Sequence, residues 1–383
     1  MKTIIYILII ALVLSLRSPA IAGPVGDIRV FVPESLTSVS TENPSLSGPR
    51  RTASMAVVST TGKKVSVVGK VDGKDVQVEL NNNGRSRTIP NMRDGHFHAQ
   101  VTLSLGVNLL EVRWRKGDGQ WESKTLSIFR SSKLEGGLAS TYPPYVFHKD
   151  ENEEHCQECH RTTLTQAEIE TGMEKSCLRC HKGLTDNLNV HGPVAVGICT
   201  VCHDPGSEPN RYRVEERDTV LCYGCHTDRK EIDDSKLLLH GPVGAGMCTI
   251  CHDAHSTPFP FQLIKAKSEI CIMCHQEDAD RWNTQNSLHP PFKSGNCSGC
   301  HDPHSSDFKY NLKANRAEIC GLCHEIPVPG HLHMVGHEPQ FTLPADFPMT
   351  DDGKTMCLTC HDPHGAPGAH LTRREGCDGC HPK

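Results

Sequence analysis

Between residues 23 and 135, apolar and polar positions alternate in short runs separated by turn dipeptides. The runs at 28–32, 55–59, 65–71, 76–80, 97–103, 109–114 and 126–129 are rich in β-branched and aromatic residues. Thr61-Gly62, Asp72-Gly73, Asn83-Gly84, Asp94-Gly95 and Asp118-Gly119 punctuate them. Alternation with a period of two, broken by Gly turns, predicts strands. About seven strands in roughly 110 residues predict an all-β sandwich. His96 and His98 fall on one face of a predicted strand, where two polar residues facing solvent is the plain reading.

The pattern changes after residues 136–147, a stretch with Gly136-Gly137 and Pro143-Pro144 that predicts a linker. Residues 148–383 show neither strand alternation nor a long apolar run. The longest apolar run of the chain is residues 4–16, preceded by Lys2 and followed by Ala20-Ile21-Ala22. Residues 1–22 therefore read as a secretory signal peptide. The run is too short for a transmembrane segment, which needs about 20 residues. The expected plan is a signal peptide (1–22), a β-sandwich (23–135), a linker (136–147) and a second domain (148–383).

The cysteines decide what the second domain is. There are 20, and each belongs to a Cys-x-x-Cys-His motif. The pairs are Cys156/Cys159, Cys177/Cys180, Cys199/Cys202, Cys222/Cys225, Cys248/Cys251, Cys271/Cys274, Cys297/Cys300, Cys320/Cys323, Cys357/Cys360 and Cys377/Cys380. The histidines that follow are His160, His181, His203, His226, His252, His275, His301, His324, His361 and His381. On a helical turn, positions i, i+3 and i+4 share a face, so two thiols and an imidazole converge. This is the attachment motif for c-type haem: the thiols bond the porphyrin and the imidazole its iron. Disulfides or zinc half-sites would use the same cysteines, but neither calls for a histidine after every pair. Ten covalent haems are expected.

The motifs also pair. Within pairs the first cysteines are 21, 23, 23, 23 and 20 residues apart, and successive pairs begin 43, 49, 49 and 60 residues apart. The chain thus holds five two-haem repeats, with an insertion at 325–356 in the last. This pattern over residues 148–383 resembles the doubled-CXXCH family of multihaem c-type cytochromes. Roughly 23 residues per haem is too few for an ordinary apolar core. Porphyrins must supply the apolar mass, leaving short helices and little other regular structure. Thr165-Gln166-Ala167-Glu168 predicts a capping box opening one helix, and Ser268 and Arg316 begin similar segments. At the other end of the chain, residues 95–112 resemble the last hairpin of bacterial immunoglobulin-like modules. The expected fold is an immunoglobulin-like sandwich followed by a haem-packed cytochrome domain.

Two histidine series offer sixth ligands. His148, His191, His240 and His289 each stand eight residues before the first cysteine of a repeat. His255, His304 and His364 each stand three residues after a first-motif histidine, in Asp-Ala-His or Asp-Pro-His. Being so close to their own motif, the second series is expected to serve a different haem. Thr163 and Gly206 replace it in the first two repeats, and Met349 takes the minus-eight place in the last. The insertion carries His331, His333 and His337, of which His337 or His333 fits the missing role. His155 and His370 remain for irons lacking a clear partner. Met349 as a ligand would raise a potential, but methionines are usually packing.

Histidine on both sides saturates iron and sets low potentials. The expected function is an exported electron-transfer protein, a haem wire. Its expected partners are other redox proteins, cytochromes or an outer-membrane complex among them, and an extracellular electron acceptor. Anaerobic respiration through the periplasm or at the outer surface is what the family resemblance implies. The alternative is a multihaem reductase with one open iron, of the nitrite or hydroxylamine type. A third role, docking, falls to the β domain. Removing residues 1–22 takes the formal charge from −5 to −7, which speaks against a nucleic-acid partner. Intact mass of the exported protein, with a haem stain, should show ten added haems; fewer would contradict the count.

Overall fold

A computed structural model describes residues 28–32, 57–73, 75–90, 93–132, 142–157, 160–171, 176–208, 210–214, 216, 218–326 and 335–375. The signal peptide, Cys159, Cys377, Cys380, His331, His333 and His381 lie outside the described residues. The chain divides into two compact units, one ending at Cys159 and one beginning at His160.

The first unit is built from eight strands: β1 (Ile28–Val32), β2 (Val57–Thr60), β3 (Lys64–Val71), β4 (Val76–Asn82), β5 (Arg85–Ile89), β6 (His96–Thr102), β7 (Gly106–Lys116) and β8 (Glu122–Arg130). They form a three-stranded sheet, β1-β3-β6, and a five-stranded sheet, β2-β8-β7-β4-β5. Every pairing is antiparallel except β2 with β8, which is parallel. Alternate residues of both sheets enter one core that includes Val67, Phe97, Val78, Leu110, Val112 and Ile128. The sandwich expected from the alternation is therefore present. The sequence pattern passed over β5, whose residues Arg-Ser-Arg-Thr are exposed and only Ile89 is buried. It is an edge strand, where charged side chains discourage further pairing and erase the apolar signal.

Asn108 is fully buried at the β6–β7 turn and is satisfied there. Its Oδ1 accepts from Ser104 N (2.9 Å) and its Nδ2 donates to Ser104 O (2.8 Å) and Gly106 O (3.0 Å). His98 is exposed, with Nε2 3.2 Å from Ser66 Oγ across the β3–β6 pair. Residues 142–145 are stitched along β2. Ser59 N donates to Pro143 O (2.8 Å), Tyr145 N to Ser59 O (2.7 Å), and the Tyr145 hydroxyl to Ser66 O (2.6 Å). A short helix, α1 (Asp150–Gln157), follows.

The second unit has little regular structure, as its composition predicts. Its helices are mostly a turn or two long; the longest runs Ile272–Asn283 and is kinked at His275. Helix α2 (Gln166–Thr171) opens with the expected capping box. Thr165 N donates to Glu168 Oε2 (2.9 Å), and Glu168 N donates to Thr165 Oγ1 (3.2 Å). The backbone N–H of Thr165, with the side chains of Ser176 and Thr165, holds the Glu168 carboxyl down to about 2. The segments expected from Ser268 and Arg316 become a helix at Lys267–Ile270 and a 3-10 turn at Ile319–Leu322.

Three two-stranded ladders stitch successive repeats. Asn189–Val190 pairs with Ser256–Thr257, Leu238–Leu239 with Ser305–Ser306, and Ser287–Leu288 with Gly365–Ala366. In each, the strand before a minus-eight histidine pairs with the strand after the Asp-x-His of the next repeat. Among the described residues, no helix is long and apolar enough to cross a membrane.

Candidate functional site

The local geometry of the motif is the same wherever it is described. The histidine N–H donates to the carbonyl of the first cysteine four residues back, at 2.9–3.1 Å, in the motifs ending at His181, His203, His226, His252, His275, His301, His324 and His361. That bond closes one helical turn and brings both thiols and the imidazole to one side. Motifs also meet across repeats. Cys222 lies beside Cys248, Cys271 beside Cys297, and Cys320 beside Cys357. The second motif of one repeat thus touches the first motif of the next.

The second cysteines do not share one environment, although the motif alone gives no reason to separate them. Cys180, Cys225, Cys274 and Cys323, from second motifs, are exposed, whereas Cys202, Cys251, Cys300 and Cys360, from first motifs, are half-buried. The turn itself is not the cause. The N–H groups of Cys180, Cys225, Cys274 and Cys323 donate to the first cysteine's carbonyl at 3.2 Å, as do those of Cys202, Cys251 and Cys300. The difference is cover. After a first motif the chain returns across the turn, and the carbonyls of Cys251, Cys300 and Cys360 accept from Ile264, Lys313 and Arg373 N–H at 2.9 Å. The convergence expected of every motif therefore holds for the backbone of the described motifs, while among the described residues the second cysteine is half-buried in first motifs and exposed in second motifs.

The histidines outside the motifs fall into register with those inside. Six pairs of imidazole rings lie nearly parallel with centroids 6.0–6.3 Å apart and interplanar angles of 12–23°. His191 meets His226, His240 meets His275, and His289 meets His324. Each of these three minus-eight histidines therefore faces the second motif of its own repeat. His255 meets His203, His304 meets His252, and His364 meets His301. Each Asp-x-His histidine therefore faces the first motif of the preceding repeat. Sequence offsets give the two series but not this destination, because the fold returns the Asp-x-His turn onto an earlier repeat.

Hydrogen bonds fix the rings. The first-motif histidines present Nδ1 to a carbonyl nine residues on: His203 to Tyr212 (2.8 Å), His252 to Phe261 (2.8 Å), His301 to Tyr310 (2.7 Å) and His361 to His370 (2.8 Å). All four carbonyl residues have φ between 54° and 65°. A bulky residue in that region carries backbone strain, which collects where a site over-determines the chain. The constant offset of nine was readable in the sequence, but aromatic residues do not signal a left-handed turn. His370 occupies this turn position.

The minus-eight histidines are held by the next repeat. His191 Nδ1 lies 3.0 Å from Ala254 O, and His240 and His289 bond the carbonyls of Pro303 and Pro363. Their backbone N–H groups donate to the carbonyls of His255, His304 and His364 at 2.8–3.2 Å. One Asp-x-His tripeptide therefore supplies one facing histidine to the repeat before it and supports the other. Burial, the largest cause in each case, holds His240, His289, His301 and His304 below the usual imidazole range. Neutral imidazole is the form that binds a metal.

Elsewhere the candidates are placed as follows. His148 presents Nδ1 to the buried Glu153 carboxylate at 2.8 Å. His155 lies in the last turn of α1. The carbonyl of His337 accepts from Thr355 N (2.9 Å), just ahead of Cys357. Met349 Sδ takes a contact from the buried Thr359 hydroxyl at 3.9 Å.

The residues present fit haem. A metal ion sits about 2.0–2.1 Å from an imidazole nitrogen, so two rings sharing one ion, with the ring radius added on each side, have centres roughly 6 Å apart. The six observed separations match, and in each pair one ring belongs to a Cys-x-x-Cys-His motif. The motifs imply covalently bound haem c.

Comparison with known proteins agrees on the motif. Residues 191–231, 240–280, 289–326 and 348–383 match the family described as the Doubled CXXCH motif. No curated protein matches the chain. Among solved structures, the chain is similar to the fibronectin(III)-like modules of Clostridium thermocellum CbhA (14% identity, 21% of this chain and 93% of that one, TM-score 0.18). It is also similar to the extracellular domain of the putative hybrid two-component system BT3049 from B. thetaiotaomicron (10% identity, 29% of this chain and 16% of that one, TM-score 0.20).

One backbone position links each facing histidine to its motif. Gly197, Gly246 and Gly295 each lie six residues after His191, His240 or His289, with φ of 71–80°. A Cβ on Gly295 would lie 2.4 Å from Ser268 Cβ. Gly295→Ala should therefore cost about 1–3 kcal/mol, seen as faster hydrogen exchange across residues 289–300; unchanged exchange would contradict this reading of the turn.

Proposed function

We propose that this chain is an exported ten-haem c-type cytochrome that carries electrons along a row of closely spaced haems. The observation that carries the reading is the set of six imidazole pairs, each joining a motif histidine to a histidine outside the motifs at 6.0–6.3 Å. Haem c, when bound, supplies a one-electron iron couple. The chain's own residues hold the rings in facing pairs, which would take an iron from both sides and leave no place on it for a substrate.

Both thiols of every motif hold the porphyrin, the exposed Cys180, Cys225, Cys274 and Cys323 as well as the covered Cys202, Cys251, Cys300 and Cys360. The motif histidines are the fifth ligands. His191, His240 and His289 are the sixth ligands facing His226, His275 and His324. His255, His304 and His364 are those facing His203, His252 and His301. By the same register His337 or His333 serves the His381 iron, and His148 is a further sixth ligand. Gly206 stands where the His160 iron would find its Asp-x-His partner, and His155 remains as a sixth ligand for an iron without one. His370 holds the His361 ring through its carbonyl, so we place it as a supporting residue.

Contacts between successive motifs order the haems as they occur in the sequence. An acidic chain suits docking to a basic redox partner. The first unit, two sheets of three and five strands around one core, is an immunoglobulin-like module that docks the cytochrome to a partner or to a surface. The setting is the periplasm or the outer surface, and the electrons pass to other cytochromes, an outer-membrane complex or an extracellular acceptor.

His304→Ala tests the ligand set. It should leave all haems attached and convert one low-spin iron, that of the Cys248–Cys251 motif, to a form that binds carbon monoxide when reduced. Unchanged spectra, or a conversion at the motif ending in His301, would contradict the assignment.

A further inference from the structure

The two classes of sixth ligand have different neighbours at Nδ1. His191, His240 and His289 face neutral carbonyls. His255, His304 and His364 face carboxylates: Asp253 Oδ1 at 3.5 Å, Asp302 Oδ1 at 3.8 Å and Asp362 Oδ1 at 3.5 Å. The aspartate that sets the turn is the one that faces the ring. Its Oδ1 also accepts the ligand's backbone N–H, at 2.8, 2.9 and 3.1 Å. A fixed negative charge beside an axial imidazole makes it a stronger donor and favours the oxidised iron. A carbonyl dipole does so less.

Other charges close to these rings modify the contrast. Asp362 pairs with Arg373 at 3.4 Å, and Trp282 stacks on His364 with centroids 3.9 Å apart. Beside His304, Arg229 is paired with the buried Asp233 and leaves Asp302 as the net charge. Among second-motif histidines, His275 Nδ1 lies 3.7 Å from Asp278, but that carboxylate pairs with Arg281 at 2.8 Å.

We propose that the aspartates of the Asp-x-His turns, Asp253, Asp302 and Asp362, with Asp302 acting more strongly than the Arg373-paired Asp362, divide the irons into two alternating potential levels. The irons of His203, His252 and His301 form the lower level, and those of His226, His275 and His324 the upper. This rests on the ligand set proposed above. An electron moving through the repeats then meets alternating steps, those on either side of the His301 iron smaller than those beside the His252 iron.

The test uses the full haem-loaded protein, titrated electrochemically while haem methyl resonances, assigned through their thioether cysteines, report each iron. In the unaltered protein the His252 iron should oxidise at lower potential than the His275 iron. Asp302→Asn keeps the oxygen that accepts the turn N–H groups and removes the charge. It should raise the midpoint of the His252 iron alone, and Asp362→Asn should raise that of the His301 iron by less. The reverse order in the unaltered protein overturns the proposal, whether or not a variant folds. So does an Asp302→Asn protein with unmoved midpoints. If low-spin spectra with two nitrogen ligands persist in either case, the ligand set stands and only the alternation fails. If the unaltered protein lacks those spectra, the ligand set itself is wrong.

Discussion

The second unit depends on two imidazoles from different parts of the chain meeting about 6 Å apart. Apolar packing cannot substitute for that meeting. Among the described residues after His160, the buried apolar side chains are Ala279, Leu312, Ile319, Phe347, Met356 and Ala366. The sandwich, half as long, buries seventeen around one core. Strands of two residues do not hold a domain together by themselves. What organises the repeats is the return of each Asp-x-His turn onto the repeat before it, where it supplies one facing imidazole and supports the other. The repeats that hold His203, His252 and His301 are thus each completed by their successor, through nearest-neighbour contacts.

Much of this was legible in the sequence because thioether chemistry demands fixed spacing. Cys248, Cys251 and His252 sit on one turn for the same reason in every repeat, and His191, His240 and His289 keep their distance because a Pro-containing turn of fixed length joins them to the motif. The exposure of Cys225 or Cys274 beside the cover over Cys251 was not legible, because the covering segment lies a dozen residues beyond the motif. The sandwich was legible because alternate residues such as Val65, Val67 and Val71 are buried. Strand β5 was not, since an exposed edge needs no apolar face. The destination of His255 was not either. Its offset from His252 is local, whereas its ring lies against His203, more than fifty residues earlier.

The departures from the repeat become intelligible once the register is known. Thr163 stands in the first repeat, which has no earlier repeat to complete. Gly206 keeps the turn, with its N–H on Asp204 Oδ1 at 2.8 Å, and lacks only the imidazole. Turn and ligand are therefore separable functions of the same tripeptide. Tyr212, Phe261, Tyr310 and His370 likewise share a strained turn whose carbonyl steadies a motif imidazole, whatever side chain stands there.

The most direct measurement is an experimental structure of the haem-loaded protein, read for the nitrogen atoms bonded to each iron. The cross-repeat register requires His255 on the iron held by His203, His304 on that held by His252, and His364 on that held by His301. Finding any of these three on the iron of its own motif, or finding those irons without a second imidazole, would contradict it.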